Sequence, residues 1–250
     1  MLRKAMDVLA LFSLERRELG VLEAAEALGR PKSTVSRWLA AMEQADFLDR
    51  DSETGRYRLS LRLTALGDVA RHSTSLQRSA RPSLKWLAER TGETANLTLL
   101  VGIEAVNVEV ADSPRPVMHL GWVGRRLPVH ATASGKVLVA HADDATRATV
   151  LNGTLERFTS ETITSSKAFR AELELVRARG YATVWAELES DLAAVAAPVR
   201  DHTGVVVAAM AIGGPVSRCA RSRLDVLALD VLSAANSLSE QMGYRVQALG

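Results

Sequence analysis

The residues of this sequence whose types and spacing suit chemistry form a run of short hydroxyls and cations: Lys32, Ser33, Thr34, Ser36 and Arg37. Projected at 3.6 residues per turn, Val35, Trp38, Leu39 and Met42 share one face, while Ser33, Ser36, Arg37 and Ala40 share the other. The first face is a core stripe. The second is small, polar and closed by an arginine, so a helix built this way can bring its backbone into the major groove while its side chains reach base edges and phosphates. Ser33, Thr34, Ser36 and Arg37 are therefore candidates for reading bases or backbone, and Lys32 adds charge at a helix N-terminus that already favours phosphate. A second pair, Arg56 and Arg58, flanks Tyr57. Alternation along a strand turns both arginines to one side, toward phosphate, and Tyr57 to the other, toward a core.

A net charge of +2 is by itself no argument for nucleic acid, but its distribution is. Residues 27–42 hold Arg30, Lys32 and Arg37 with no acid, and residues 54–67 hold Arg56, Arg58 and Arg62 with none.

Three short helices must position these groups. Leu2, Met6, Leu9 and Leu11/Phe12, then Leu22, Ala25 and Leu28, recur at helical spacing and predict helices over 2–13 and 21–28. Gly29 stops the second, and Pro31 and Ser33 open the third, with the Ser33 and Thr34 hydroxyls available to backbone donors left over at its start. Extended segments at 47–50 and 57–61 surround a turn-forming stretch, 51–55, and predict a basic hairpin. For any one basic helix, a solvated face with scattered arginines is an equal reading. The order helix, glycine turn, proline-started helix, basic hairpin favours a winged helix-turn-helix bound to double-stranded operator DNA.

The texture changes between about residues 65 and 80. The expected organisation is a winged helix-turn-helix domain over 1–65, a linker helix over 66–79, and a larger domain over 80–250. In the latter the pattern predicts helices at 76–91, 134–141, 167–179 and 217–242, and strands at 94–101, 105–111, 117–120, 181–186, 193–200 and 205–213, the last two joined as a hairpin through 201–204. The fold class is α+β.

Catalysis and metal chemistry lack their residues. Ser134 is without the first glycine of a nucleophile elbow, no triad is defined by the spacing of the five histidines, and Gly135-Lys136 has no glycine at position 130 to make a phosphate loop. Cys219 is the single cysteine, so neither a disulfide framework nor a zinc cluster is expected, and no cofactor is implied. No run approaches the roughly 20 apolar residues of a membrane span, and no signal peptide is evident, so the expected location is the cytoplasm.

At four separated blocks the chain resembles the IclR family of bacterial regulators: 30–37 resembles its recognition helix and 55–59 its wing, 128–136 its central signature, and 159–164 with 196–199 its threonine-rich loop and the strand that follows. The resemblance implies a GAF-like effector-binding domain, assembly as a homodimer or tetramer, and control, as a repressor for example, of nearby catabolic or stress genes. It also implies an effector beside the central signature and the paired C-terminal strands, with Ala133, Ser134 and Gly135 at a helix start. For Gly135 and Lys136, helix capping and a surface charge are the equal alternative. The chain departs from the family where an acidic pair and a cysteine are common, showing Val184, Ala186-Glu187 and Ala194 instead. Met118, Leu120, Val184, Leu192, Ala194, Ala196 and Ala211 are thus expected to line an apolar pocket, with Trp122 above it, for an apolar or aromatic effector in place of a two- or three-carbon acid. The same residues read equally well as plain core. A second domain that only oligomerises, through a long C-terminal helix bearing Leu224, Leu227, Leu229, Leu232 and Leu238, is the remaining alternative.

Overall fold

The computed structural model describes residues 2–13, 16–66, 75–115 and 121–244. The chain divides into two compact units, Met1–Thr74 and Ser75–Gly250. Residues 75–79, assigned to a linker helix, are helical and belong to the helix Ser75–Thr91, close to the helix expected over 76–91.

The first unit runs α1 (Leu2–Leu9), β1 (Glu18–Leu19), α2 (Val21–Leu28), α3 (Lys32–Gln44), β2 (Leu48–Arg50) and β3 (Tyr57–Leu59). Val8, Leu19, Ala24, Val35, Leu39, Met42, Leu48 and Tyr57 form its core, which is why the apolar stripes of the three helices converge. Gly29 takes φ +60 after α2, a left-handed geometry that glycine adopts without a Cβ penalty. α1 ends at Leu9 and not at residue 13. α3 begins after an extended Pro31 with no side-chain cap, so the expected capping by Ser33 and Thr34 does not occur and the Pro31 carbonyl accepts from the Thr34 and Val35 amides. β3 pairs antiparallel with β2 and also with β1, whose two residues are too few to show alternation in the sequence. Residues 62–66 are helical, and residues 67–74 of the linker helix expected over 66–79 lie outside the described residues.

The second unit comprises α4 (Ser75–Thr91), β4 (Thr94–Val101), β5 (Glu104–Ala111), β6 (Arg126–Pro128), α5 (Ala133–His141), α6 (Asp144–Asn152), α7 (Ser166–Arg179), β7 (Ala182–Trp185), β8 (Leu192–Arg200), β9 (Val206–Pro215) and α8 (Leu224–Gln241). Six strands form an antiparallel sheet in the order β6-β5-β4-β9-β8-β7. Period-two alternation divides the strands between two cores. Ala193, Val195, Ala197 and Val199 of β8, with Ala208, Met210 and Ile212 of β9, pack with α4 and α8. Ala194, Ala196, Ala209 and Ala211 pack with α5, α6 and α7. Pro198 is tolerated in β8 because β7 pairs only as far as Ala196, leaving no ladder partner on that side for a missing N–H.

α6 and β6 were not expected from the sequence. α8 starts at Leu224 and not near 217, because the chain first makes a turn on the Pro215 carbonyl and a 3-10 turn over Arg221–Arg223. The strand expected at 117–120 lies outside the described residues. Among the described residues, no helix is long and apolar enough to cross a membrane.

Candidate functional site

α3 displays the predicted polar face. Lys32, Ser33 and Arg37 are exposed and Thr34 and Ser36 half-buried, while Val35, Leu39 and Met42 are buried behind them. Trp38 is half-buried, with the Lys4 ammonium 5.1 Å from its ring centroid. On the hairpin Tyr57 is buried as expected, and Arg58 is exposed, 3.9 Å from Asp49.

Arg56, expected on phosphate, has carboxylate and carbonyl partners within its own domain. Its guanidinium donates to both Glu23 carboxylate oxygens, at 2.9 and 2.8 Å, and to the Glu18 carbonyl at 3.3 Å. Its charge is spent inside the domain: the pair holds the Glu23 carboxyl below its ordinary range and the guanidinium above its own. The hairpin tip is fixed by Asp51, whose carboxylate accepts from the Glu53 and Thr54 amides and the Thr54 hydroxyl, which lowers its pKa.

In the second unit a cavity of about 50 Å³ lies between the start of α5 and the sheet. Ala133, Ser134, Val184, Leu192, Ala194 and Ala211 are among its walls, as expected. Trp122 and Ala196 are not: Trp122 carries the Arg125 guanidinium 4.6 Å from its ring centroid, and Ala196 lies in the core beneath. Met118 and Leu120 lie outside the described residues.

Gly135 is not a wall either. An added Cβ there would sit 2.4 Å from the Val129 backbone, so glycine permits the close approach of α5 to residue 129. Thr132 caps the same helix end, its hydroxyl accepting from the Gly135 amide at 3.3 Å and donating to the Pro128 carbonyl at 2.9 Å. Lys136, for which a surface charge was one of two equal readings, is 1% exposed. Its ammonium donates to Glu187 at 2.6 Å and lies 3.8 Å from Glu172, since a lysine desolvated this fully requires a carboxylate partner.

The sequence reading missed the polar part of the cavity. Thr94, Asn96 and Asn107 are walls, with the Asn96 amide donating to the Asn107 carbonyl oxygen at 2.7 Å and Thr98 donating to the same oxygen at 2.9 Å. The available signal was alternation: Thr94, Asn96 and Thr98 alternate with core residues Ala95 and Leu97, placing polar side chains on an inward face. Among the described residues, no wall residue is charged. His130 is a structural residue, its ring nitrogen 2.8 Å from the Glu156 carbonyl and its ring beside Phe158 and Phe169. No group of three metal-ligating side chains occurs among the described residues.

The family model of the IclR helix-turn-helix domain matches residues 1–52, and that of the IclR C-terminal domain of bacterial transcriptional regulators matches residues 68–240. The chain belongs to the IclR family of bacterial transcriptional regulators. This IclR-family chain is 36% identical over 231 residues to the HTH-type transcriptional regulator KdgR of Escherichia coli K12, covering 92% of this chain and 88% of that protein. It is 33% identical over 242 residues to XynR of the same organism, covering 96% of each. It is similar in structure to an IclR homologue from Microbacterium hydrocarbonoxydans complexed with 4-hydroxybenzoate, with 27% identity, a TM-score of 0.82, and coverage of 96% of this chain and 98% of that one. The IclR chain is thus a DNA-binding transcriptional regulator and not an enzyme, with a helix-turn-helix domain followed by a mixed α/β effector-binding domain.

Proposed function

We propose that this regulator acts in the cytoplasm as a symmetric homo-oligomer that represses its target genes, and that an aromatic ligand with one polar end releases it from DNA. Lys32, Ser33, Thr34, Ser36 and Arg37 meet the operator, with Arg58 on phosphate and Arg56 holding the wing. One observation carries the ligand class: among the described residues, the cavity combines apolar walls at Val184, Leu192, Ala194 and Ala211 with neutral polar groups at Asn96, Asn107 and the capped start of α5. A helix N-terminus and two amides suit a carboxylate or phenol; the alanines and leucine suit a ring. The neighbour complexed with 4-hydroxybenzoate supports this class.

The cavity's 50 Å³ is smaller than the roughly 150 Å³ that accommodates benzene in an engineered apolar site. A ring can therefore enter only if the walls part. Binding that requires the walls to move discriminates between two arrangements of the domain, which is what coupling to DNA affinity demands.

The test is fluorescence anisotropy on the DNA upstream of the protein's own gene, with competitor DNA present, titrated with 4-hydroxybenzoate and separately with pyruvate. Release by the aromatic acid alone supports the reading. Release by pyruvate alone removes it.

A further inference from the structure

A second, wider cleft of about 330 Å³ is walled by residues of α5, α7, β7 and the start of α8, and shares no wall residue with the smaller cavity. Its least exposed carboxylate belongs to Glu187, which is 9% exposed. One Glu187 oxygen accepts from the Lys136 ammonium at 2.6 Å. The other is buried and has no hydrogen-bond partner among the described residues. A buried acceptor left unpaired is costly, and burial accordingly pushes this carboxyl above its ordinary range in spite of Lys136.

The cations around the cleft are already engaged. Lys136 serves Glu187 and Glu172, Arg179 donates to Glu172 at 3.0 Å, and Arg221 pairs with Glu161. Asp225 accepts the Tyr181 hydroxyl at 2.8 Å. Among the described residues the cleft thus has four carboxylates against three cations, one negative charge in excess. An acceptor-only group in a negative cleft calls for a donor that carries positive charge. A metal ion is not indicated, because the described residues contain no group of three suitable ligands.

We propose that this cleft is a second binding site, for a small organic cation whose primary ammonium donates to the unpaired oxygen of Glu187. The indole N–H of Trp185, another wall residue, is also buried without a hydrogen-bond partner among the described residues and can be satisfied by a hydroxyl on the ligand. The site is independent of the effector reading above. It can nevertheless influence that cavity, because Val184 and Leu188, on either side of Glu187 in sequence, are walls of the smaller cavity.

The experiment titrates the full-length protein calorimetrically with ethanolamine, and with ethylene glycol as the uncharged counterpart, at ionic strength matched with sodium chloride. The expected result is saturable binding of ethanolamine in the millimolar range and none of the glycol. Glu187→Gln, which keeps an oxygen for Lys136, should weaken ethanolamine about tenfold or more. Thr183→Lys, which places an ammonium on a cleft wall, should abolish binding, and it decides the matter if Glu187→Gln does not fold. Absence of saturable binding to the wild type up to about 50 mM overturns the proposal. Equal binding of the glycol, or undiminished binding by either folded variant, overturns it as well.

Discussion

Arg56 of the wing and Glu23 in the first turn of α2 meet in a two-point contact, 2.9 and 2.8 Å long, while Glu23 also accepts the Gly20 amide at 3.2 Å. One carboxylate thus fastens both the start of α2 and the hairpin. Arg56→Ala and Glu23→Gln should therefore weaken specific DNA binding by similar, several-fold factors and leave its salt dependence almost unchanged. Anisotropy over a range of salt checks this; a slope lower by about one for Arg56→Ala alone would assign that arginine to phosphate after all.

Lys32 and Arg58 should behave differently. Alanine at either is expected to weaken binding to all sequences alike and lower the salt slope by about one. Ser36→Ala and Arg37→Ala should instead reduce preference for the operator, by about 1–3 kcal/mol if a base contact is lost, as read from competition with random DNA.

Gly135→Ala tests the close approach of α5. The added methyl meets backbone at residue 129, which cannot swing aside as a side chain can, so a loss of about 1–3 kcal/mol is expected in denaturant unfolding.

Ala194→Phe places a ring inside the small cavity. It should abolish the response to 4-hydroxybenzoate while DNA binding without ligand persists; a normal response would move the effector site elsewhere.

His141 predicts a pH dependence. Burial first, then Arg200 and Arg177, push its pKa from 6.5 down to about 4, and its buried Nε2 has no partner among the described residues. Between those two values the unfolded chain binds a proton that the native state refuses. Stability should therefore fall as pH drops from about 6.5 to 4, by on the order of 1–2 kcal/mol once partial exposure is allowed for. Thermal unfolding of His141→Gln should show a flatter profile over that window.

Much of this was legible in the sequence because it is local. The two faces of α3 follow from helical spacing, and the division of β8 between two cores follows from alternation at period two. The partners that decide roles are distant instead: Glu23 is 33 positions from Arg56, and Glu187 is 51 from Lys136. Isolated arginines and lysines read as surface charges until the fold brings their carboxylates near. Asn96 and Asn107 are hidden for a related reason: they lie on different strands, 11 positions apart, and meet only when β4 and β5 pair.

The alternation in β8 and β9 makes the sheet a diaphragm. Ala194 and Ala211 face the small cavity, while their immediate neighbours Val195 and Met210 press on the opposite side, where α4 and α8 are seated. A ligand that forces the cavity wider pushes on one surface of a layer a single strand thick, and a close-packed interior passes the displacement through to the other. The helix resting there, α4, is the element that the chain enters directly after residue 74, where the first unit ends. Under the effector reading proposed above, the signal has a short route: across the sheet and into the helix that follows the first unit in sequence.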